Sequence, residues 1–312
     1  MHFYVPNNVH VSLKTMQFGN LSIELLETGD FALDGGAMFG VVPRNLWEKA
    51  YHAPDEQNRI PMKARCLLIR GHIGGKDRVI LVDTGNGEKF PPKLAQMYKI
   101  DLSRFRLETS LARFGVHPED ITDVLLTHLH FDHAGGATTL DVLGKPYPTF
   151  PNARHYVQRD QLRWAQYPTE KDRASFLKEN FEPLVGNGLV EILDNDGELW
   201  TGENSSISLH CVHGHTKALQ TVMIESGEGA EKERIIFAAD LIPTSAHVPV
   251  PYVMAYDNFP LTTIEEKKAL MPRLYEEKWL VIYEHDGFMQ ASRIALTERG
   301  FTRGDAVTIT EW

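Results

Sequence analysis

Cysteine is nearly absent: Cys66 and Cys211 are the only two in 312 residues. That excludes a disulfide framework, because two thiols can close at most one bridge. Both lie in apolar, strand-like runs, where reduced and half-buried thiols act as small hydrophobes. No stretch of about 18 uninterrupted apolar residues occurs, which argues against a membrane-spanning helix. The opening MHFYVPNNVHVSLK has neither the charged start nor the continuous apolar segment of a signal peptide, so a cytoplasmic protein with no membrane partner is expected. Basic residues are outnumbered, 32 Lys and Arg against 42 Asp and Glu, for a net charge of -10 and a pI near 5.8. Affinity for nucleic acid rests on Lys and Arg that displace counterions, so a polyanion is a poor partner and a small-molecule substrate a better one. Linkers rich in Pro, Gly or Ser, charge blocks and fixed-period repeats are all missing, and one domain over 1–312 is the expectation.

With 42% hydrophobic and 24% charged residues, the chain can bury a sizeable core. Runs of β-branched and aliphatic residues predict strands over 21–26, 64–70, 79–82 and 123–126. In the second half they predict strands over 153–157, 206–212, 221–224, 235–238 and 280–283. Pro43 opens a short helix over 43–51, and Gly115 closes one over 110–114. The clearest amphipathic helix runs over 265–278, with Leu270, Leu274 and Tyr275 on one side and Glu/Lys pairs on the other. Strands and helices mixed through both halves predict stacked α and β layers.

The run THLHFDHAGG, residues 127–136, packs three imidazoles and a carboxylate into six positions after a strand. In an extended or tightly turning loop, His128 and His130 point to one side and can share an ion, while Asp132 and His133 turn toward a second. Gly135 and Gly136 permit close backbone approach where the chain turns into a helix. Imidazole and carboxylate donors suit zinc, and iron, manganese and cobalt accept them too. A zinc ion wants about four donors, so further ligands must come from elsewhere. Three candidates each follow a strand: His215 in HGHT, Asp240 in FAAD and His285 in YEHD. His213, two positions before His215, is the rival for that place. His247 follows Asp240 by a short loop and either faces the pocket or is a polar loop residue. His2, His10, His52, His72, His117, His155 and His210 have no partner spacing.

In order, the segments LVDTG (81–85), HLHFDH (128–133), GHT (214–216), AAD (238–240) and YEHD (283–286) resemble the five motifs of the metallo-β-lactamase superfamily. The resemblance spans most of the chain and implies an α+β fold, a four-layer αβ/βα sandwich with metals on the edge between two mixed sheets. It implies a first site of His128, His130 and His215, a second of Asp132, His133 and His285, and Asp240 bridging both. It decides for His215 over His213, and it puts Asp83 behind the ligands, holding the loop that carries the histidines. Two divalent ions, zinc foremost, would lower the pKa of a shared water and polarise the oxygen under attack. The implied activity is hydrolysis by a metal-bridged hydroxide. Asp132 and Asp240 are then the catalytic carboxylates, with Asp132 passing a proton to the leaving group.

Substrate choice falls to two apolar loops, 35–43 and 247–256, which favour a small, partly hydrophobic substrate and leave room for a homodimer. Within the superfamily the arrangement looks most like acyl-homoserine lactonases and the related organophosphate hydrolases. An ester-type substrate is expected, a lactone first and a phosphotriester second. Those lactonases carry a Tyr three residues after the bridging Asp. Pro243 stands there in this chain, so Tyr252 or Tyr256 would have to reach the same space. A glyoxalase II-like thioesterase shares the ligand set, but the stretch after His285 is short for its C-terminal helical region. A mononuclear-iron, persulfide dioxygenase-like oxidoreductase is the alternative from another reaction class, separable by metal content. A nuclease would need a basic surface, and a non-catalytic binding protein goes with lost ligands, whereas every position here is filled.

Overall fold

The computed structural model describes residues 15–194 and 196–312. His2, His10 and the N-terminal stretch read for a signal peptide lie outside the described residues.

Two seven-stranded sheets form the body of the fold. The first runs, in spatial order, Met16–Phe18, Leu21–Asp34, Arg59–Ile73, Lys76–Val82, Asp123–Leu125, Arg154–Gln158 and Val190–Leu193. Its first four strands pair antiparallel and its last four parallel. The second runs Gly197–Thr201, Ser205–Val212, Leu219–Ser226, Glu233–Phe237, Leu280–Ile282, Ala291–Thr297 and Gly300–Val307. Among the described residues only the pairing of Glu233–Phe237 with Leu280–Ile282 is parallel there.

Successive side chains of a strand point to opposite faces, and Arg59–Ile73 is apolar on both. Leu67 and Ile69 pack in one core with Leu25, Ile207, Val222 and Ile236 of both sheets. Cys66 and Leu68 turn the other way, into a second core with Leu111, Phe150 and Ala165. The helices Leu107–Arg113 and Arg159–Gln166 thus cover the first sheet, and the helix Pro260–Glu276 packs on the second through Leu270, Met271 and Leu274. This is the αβ/βα sandwich that the motifs imply. No described helix is long and apolar enough to cross a membrane.

Several elements depart from the sequence expectation for local reasons. The strand expected over 21–26 continues to Asp34, because a bulge between Glu27 and Gly29 bends it and lets it follow the curve of its partner. The helix expected over 265–278 spans Pro260–Glu276, and Tyr275 is exposed rather than on its buried face. Tyr275 lies one position past Leu274 and so swings about 100° off that face. Lys267, Leu270, Met271 and Leu274 make up the buried stripe instead, at i, i+3, i+4 and i+7. The loop 35–43 contains a one-turn helix, Gly35–Phe39, capped by Asp34, whose carboxylate accepts from the Ala37 N–H at 2.8 Å. Cys66 is fully buried and Cys211 partly so, and both are free.

Candidate metal centre

Four strands deliver the donors. Asp123–Leu125, Ser205–Val212, Glu233–Phe237 and Leu280–Ile282 are each followed within a few residues by a member of the cluster: His128 to His133, His215, Asp240 and His285. The turns that bring them together are tight. A Cβ on Gly135 would stand 2.0 Å from the Asn86 carbonyl oxygen, and one on Gly136 would stand 2.3 Å from that of Thr84. These two positions accept only glycine, as the sequence reading anticipated. Asp83 and Ala239, flanking the site, both have positive φ, 57° and 46°. Such strained backbone persists where surroundings over-determine it. For Asp83 those surroundings are Thr127, whose N–H and hydroxyl donate to the two carboxylate oxygens at 2.7 and 2.6 Å.

All seven expected donors meet in one buried pocket. His128, His130, His215 and Asp240 form one group, and Asp132, His133 and His285 an adjoining one. Nε2 of His128 and Nε2 of His215 approach Nδ1 of His130 at 3.0 and 3.1 Å. In the second group, Nε2 of His133 and Nε2 of His285 are 3.1 Å apart. Asp240 reaches both: its Oδ2 lies 3.0 Å from His215 and 3.6 Å from His133, and its Oδ1 lies 3.1 Å from His285. Asp132 stands 3.8 Å from His133 and 3.7 Å from His285.

The outward nitrogen of each supporting ring is already engaged. Nδ1–H of His133 donates to Asp83 at 3.0 Å, that of His215 to Asp257 at 2.9 Å, and that of His285 to the Lys63 carbonyl at 2.9 Å. The inward nitrogens therefore present lone pairs to one another at contact distance, which is repulsive unless a cation lies among them. Nε2 of His130 and Oδ1 of Asp240 are buried without a hydrogen-bond partner among the described residues. This donor set fits divalent metal ions.

Electrostatics agree. Burial, and then the neighbouring imidazoles, hold His128 and His130 well below the ordinary histidine range. Burial works against charge on His215 and His285 as well. Asp240 overrides it, helped by Asp257 at His215 and Glu284 at His285, and raises both rings to about 9. The same carboxylates that would hold a proton there would hold a metal cation.

Other expectations divide. His213 stays outside both groups, its Nδ1 accepting from the Ala218 N–H at 3.2 Å. His247 is fully buried but does not line the pocket. It pairs with Thr244 at 2.7 Å and the Met38 carbonyl at 2.8 Å, and stacks on Phe39 at 4.6 Å. It pins together the two apolar loops. Tyr252 packs edge-on against Phe39, whereas Tyr256 lines the pocket. Pro243 is scaffolding: its carbonyl accepts from the His285 N–H at 2.9 Å.

Sequence reasoning missed three contributors. Asp257 lies in the unremarkable stretch AYDNF and is recognised only by its contact with His215. Glu284 was seen only as part of YEHD. It is fully buried, lies 3.2 Å from the His133 nitrogen that Asp83 also accepts from, and burial pushes its carboxyl up to about 8. Tyr98, stacked on Phe131 at 4.8 Å, also lines the pocket. No periodicity or spacing marks any of the three.

A family model described as the metallo-beta-lactamase superfamily matches residues 60–274. The chain belongs to the metallo-beta-lactamase superfamily. An N-acyl homoserine lactonase of Bacillus cereus is 29% identical over 241 residues, 73% of this chain and 83% of that protein. A second such lactonase, from a Bacillus species, is 29% identical over 181 residues, and the chain spans only 62% of its length. Among solved structures, a probable metal-dependent hydrolase from Staphylococcus aureus aligns with a TM-score of 0.78 at 27% identity, over 94% of this chain and 100% of that one. A dizinc quorum-quenching lactonase aligns with a TM-score of 0.74 at 20% identity, over 95% and 98%, a likeness of fold. As a member of the metallo-beta-lactamase superfamily, this protein is a metal-dependent hydrolase.

Proposed function

We propose that the protein is a binuclear hydrolase of small ester-type substrates, with a lactone of the acyl-homoserine class favoured. The observation that carries the reading is Asp240, whose carboxylate lies 3.0 Å from His215 of one donor group and 3.1 Å from His285 of the adjoining one. His128, His130 and His215 would hold one ion, Asp132, His133 and His285 the other, and Asp240 would join them. Zinc is the favoured ion for these donors. Bound divalent ions supply Lewis acidity and a nucleophile available near neutral pH.

The chain's own groups do the rest. The pocket encloses about 120 Å³, and Leu33, Met38, Met62 and Met254 in its lining exclude water and receive an apolar substrate portion. Asp132, which lines the pocket together with Tyr98 and Tyr256, would carry a proton to the leaving oxygen. The hydroxyls of Tyr98 and Tyr256 have no protein partner among the described residues and are available to a substrate carbonyl. The likeness to the Bacillus cereus lactonase supports the substrate class.

The test is metal content per chain, on protein purified without added metal, together with a screen of esters, lactones and phosphotriesters. Two zinc-like ions and lactone turnover are expected. His130→Ala should lose both, and His213→Ala neither. One iron per chain with no turnover would instead select the oxygen-using alternative.

A further inference from the structure

Building on that reading of the site, we propose that Lys171 makes the pocket selective for anionic substrates, ones bearing a carboxylate-class group a short spacer from the scissile ester. Among the described residues Lys171 is the only Lys or Arg lining the metal pocket. Its Nζ donates to the Tyr256 carbonyl at 2.8 Å, and an ammonium carries three hydrogens, so two remain for a ligand. The neighbouring carboxylates are committed elsewhere. Asp257 accepts from Nδ1 of His215 and the Met254 N–H. Asp172 accepts from Trp164 Nε1 at 2.7 Å, from Thr169 and from Asn258. Among the described residues no carboxylate lies within ion-pair distance of Lys171, although Asp257 and Asp172 still act on its charge.

The segment that carries Lys171 is fixed over the site. Asp172 ties it to Asn258, and the Phe176 ring packs on the His130 ring at 4.6 Å. The ammonium therefore stands at a set place in the lining of a small pocket that also presents Leu33, Met38, Met62 and Met254. A substrate with an apolar body and one anionic end matches this lining. On a chain with a net charge of -10, a lysine in the lining adds, away from the metal donors, a local field that draws the anionic end of a substrate to it.

The experiment uses the metal-loaded protein and a matched pair, N-butanoyl- and N-succinyl-homoserine lactone, alike except for the terminal carboxylate. The succinyl compound is expected to show a kcat/KM roughly tenfold higher, expressed in KM, as one charge-assisted hydrogen bond supplies. The advantage should shrink as salt is raised. Lys171→Met should bring the two compounds level and Lys171→Arg keep them apart. Lys178→Met, which removes an exposed lysine paired with Glu182, should keep the wild-type preference. Equal values for the pair in the wild type, or a preference that survives Lys171→Met, would overturn the proposal while leaving the hydrolase reading standing. If neither lactone is turned over, the lactone preference proposed above fails on its own. The rise in melting temperature that each compound gives to the metal-loaded wild type and Lys171→Met then decides for or against the anion preference.

Discussion

Asp257 shows how one residue outside any motif can set the behaviour of the site. Its carboxylate holds the His215 ring by Nδ1 and accepts from the Met254 N–H at 3.2 Å, so it couples a donor to the loop that walls the pocket. Such outer partners fix ring orientation and raise donor basicity, and their loss typically weakens metal affinity by about 10- to 100-fold. Asp257→Asn is expected to weaken retention of one ion of two by that order while the other stays bound. Titration with a competing chelator, read as ions per chain, checks this; simultaneous loss of both ions would show that the two donor groups do not act separately.

At the scale of elements, the helix Pro260–Glu276 does more than cover a sheet. Lys267 occupies a core position on it and points its ammonium at the carbonyls of His247, Pro249 and Tyr252. Burial draws that ammonium down to about 7, and three carbonyl acceptors are the compensation that lets a lysine sit there. The helix thereby tethers the loop that supplies Met254 and Tyr256 to the pocket. Lys267→Met keeps the volume but strands the three carbonyls, at a cost of about 3 kcal/mol. A lower urea midpoint and reduced turnover are expected; an unchanged midpoint would mean that the stacked loops hold themselves without the tether. The second loop depends on the same arrangement, since His247 reaches across to the Met38 carbonyl and Ala255 N–H donates to that of Ala37 at 2.8 Å.

Across the whole molecule, burial makes stability depend on pH in a direction that can be worked out. His155 and His247 are fully buried, and desolvation lowers each from 6.5 to about 4. Between those values the unfolded chain binds a proton at each ring and the folded chain does not. Both contributions are therefore intact above 6.5 and are lost as pH falls toward 4. The melting temperature is expected to drop through this window. His155→Leu should flatten the drop by about one proton relative to the wild type, and an unaltered slope would show that His155 is protonated in the fold. The sequence by itself determined the strands that carry the donors, because compact β-branched runs bury on a sheet whatever their partners. It also determined the order of the motifs and the glycines at 135 and 136, because those signals are local. The short amphipathic pattern around Leu270 misplaced Tyr275, since a face is defined by what it packs against. The bulge that carries Leu21–Asp34 past its expected end depends on its pairing with Arg59–Ile73. Only the tertiary structure decided that His247 braces loops instead of facing the pocket, and that Tyr256 rather than Tyr252 lines it. It alone brought Asp257, Glu284 and Lys171 to the donors, because proximity between residues far apart in the chain is created by packing two sheets face to face and leaves no local signal.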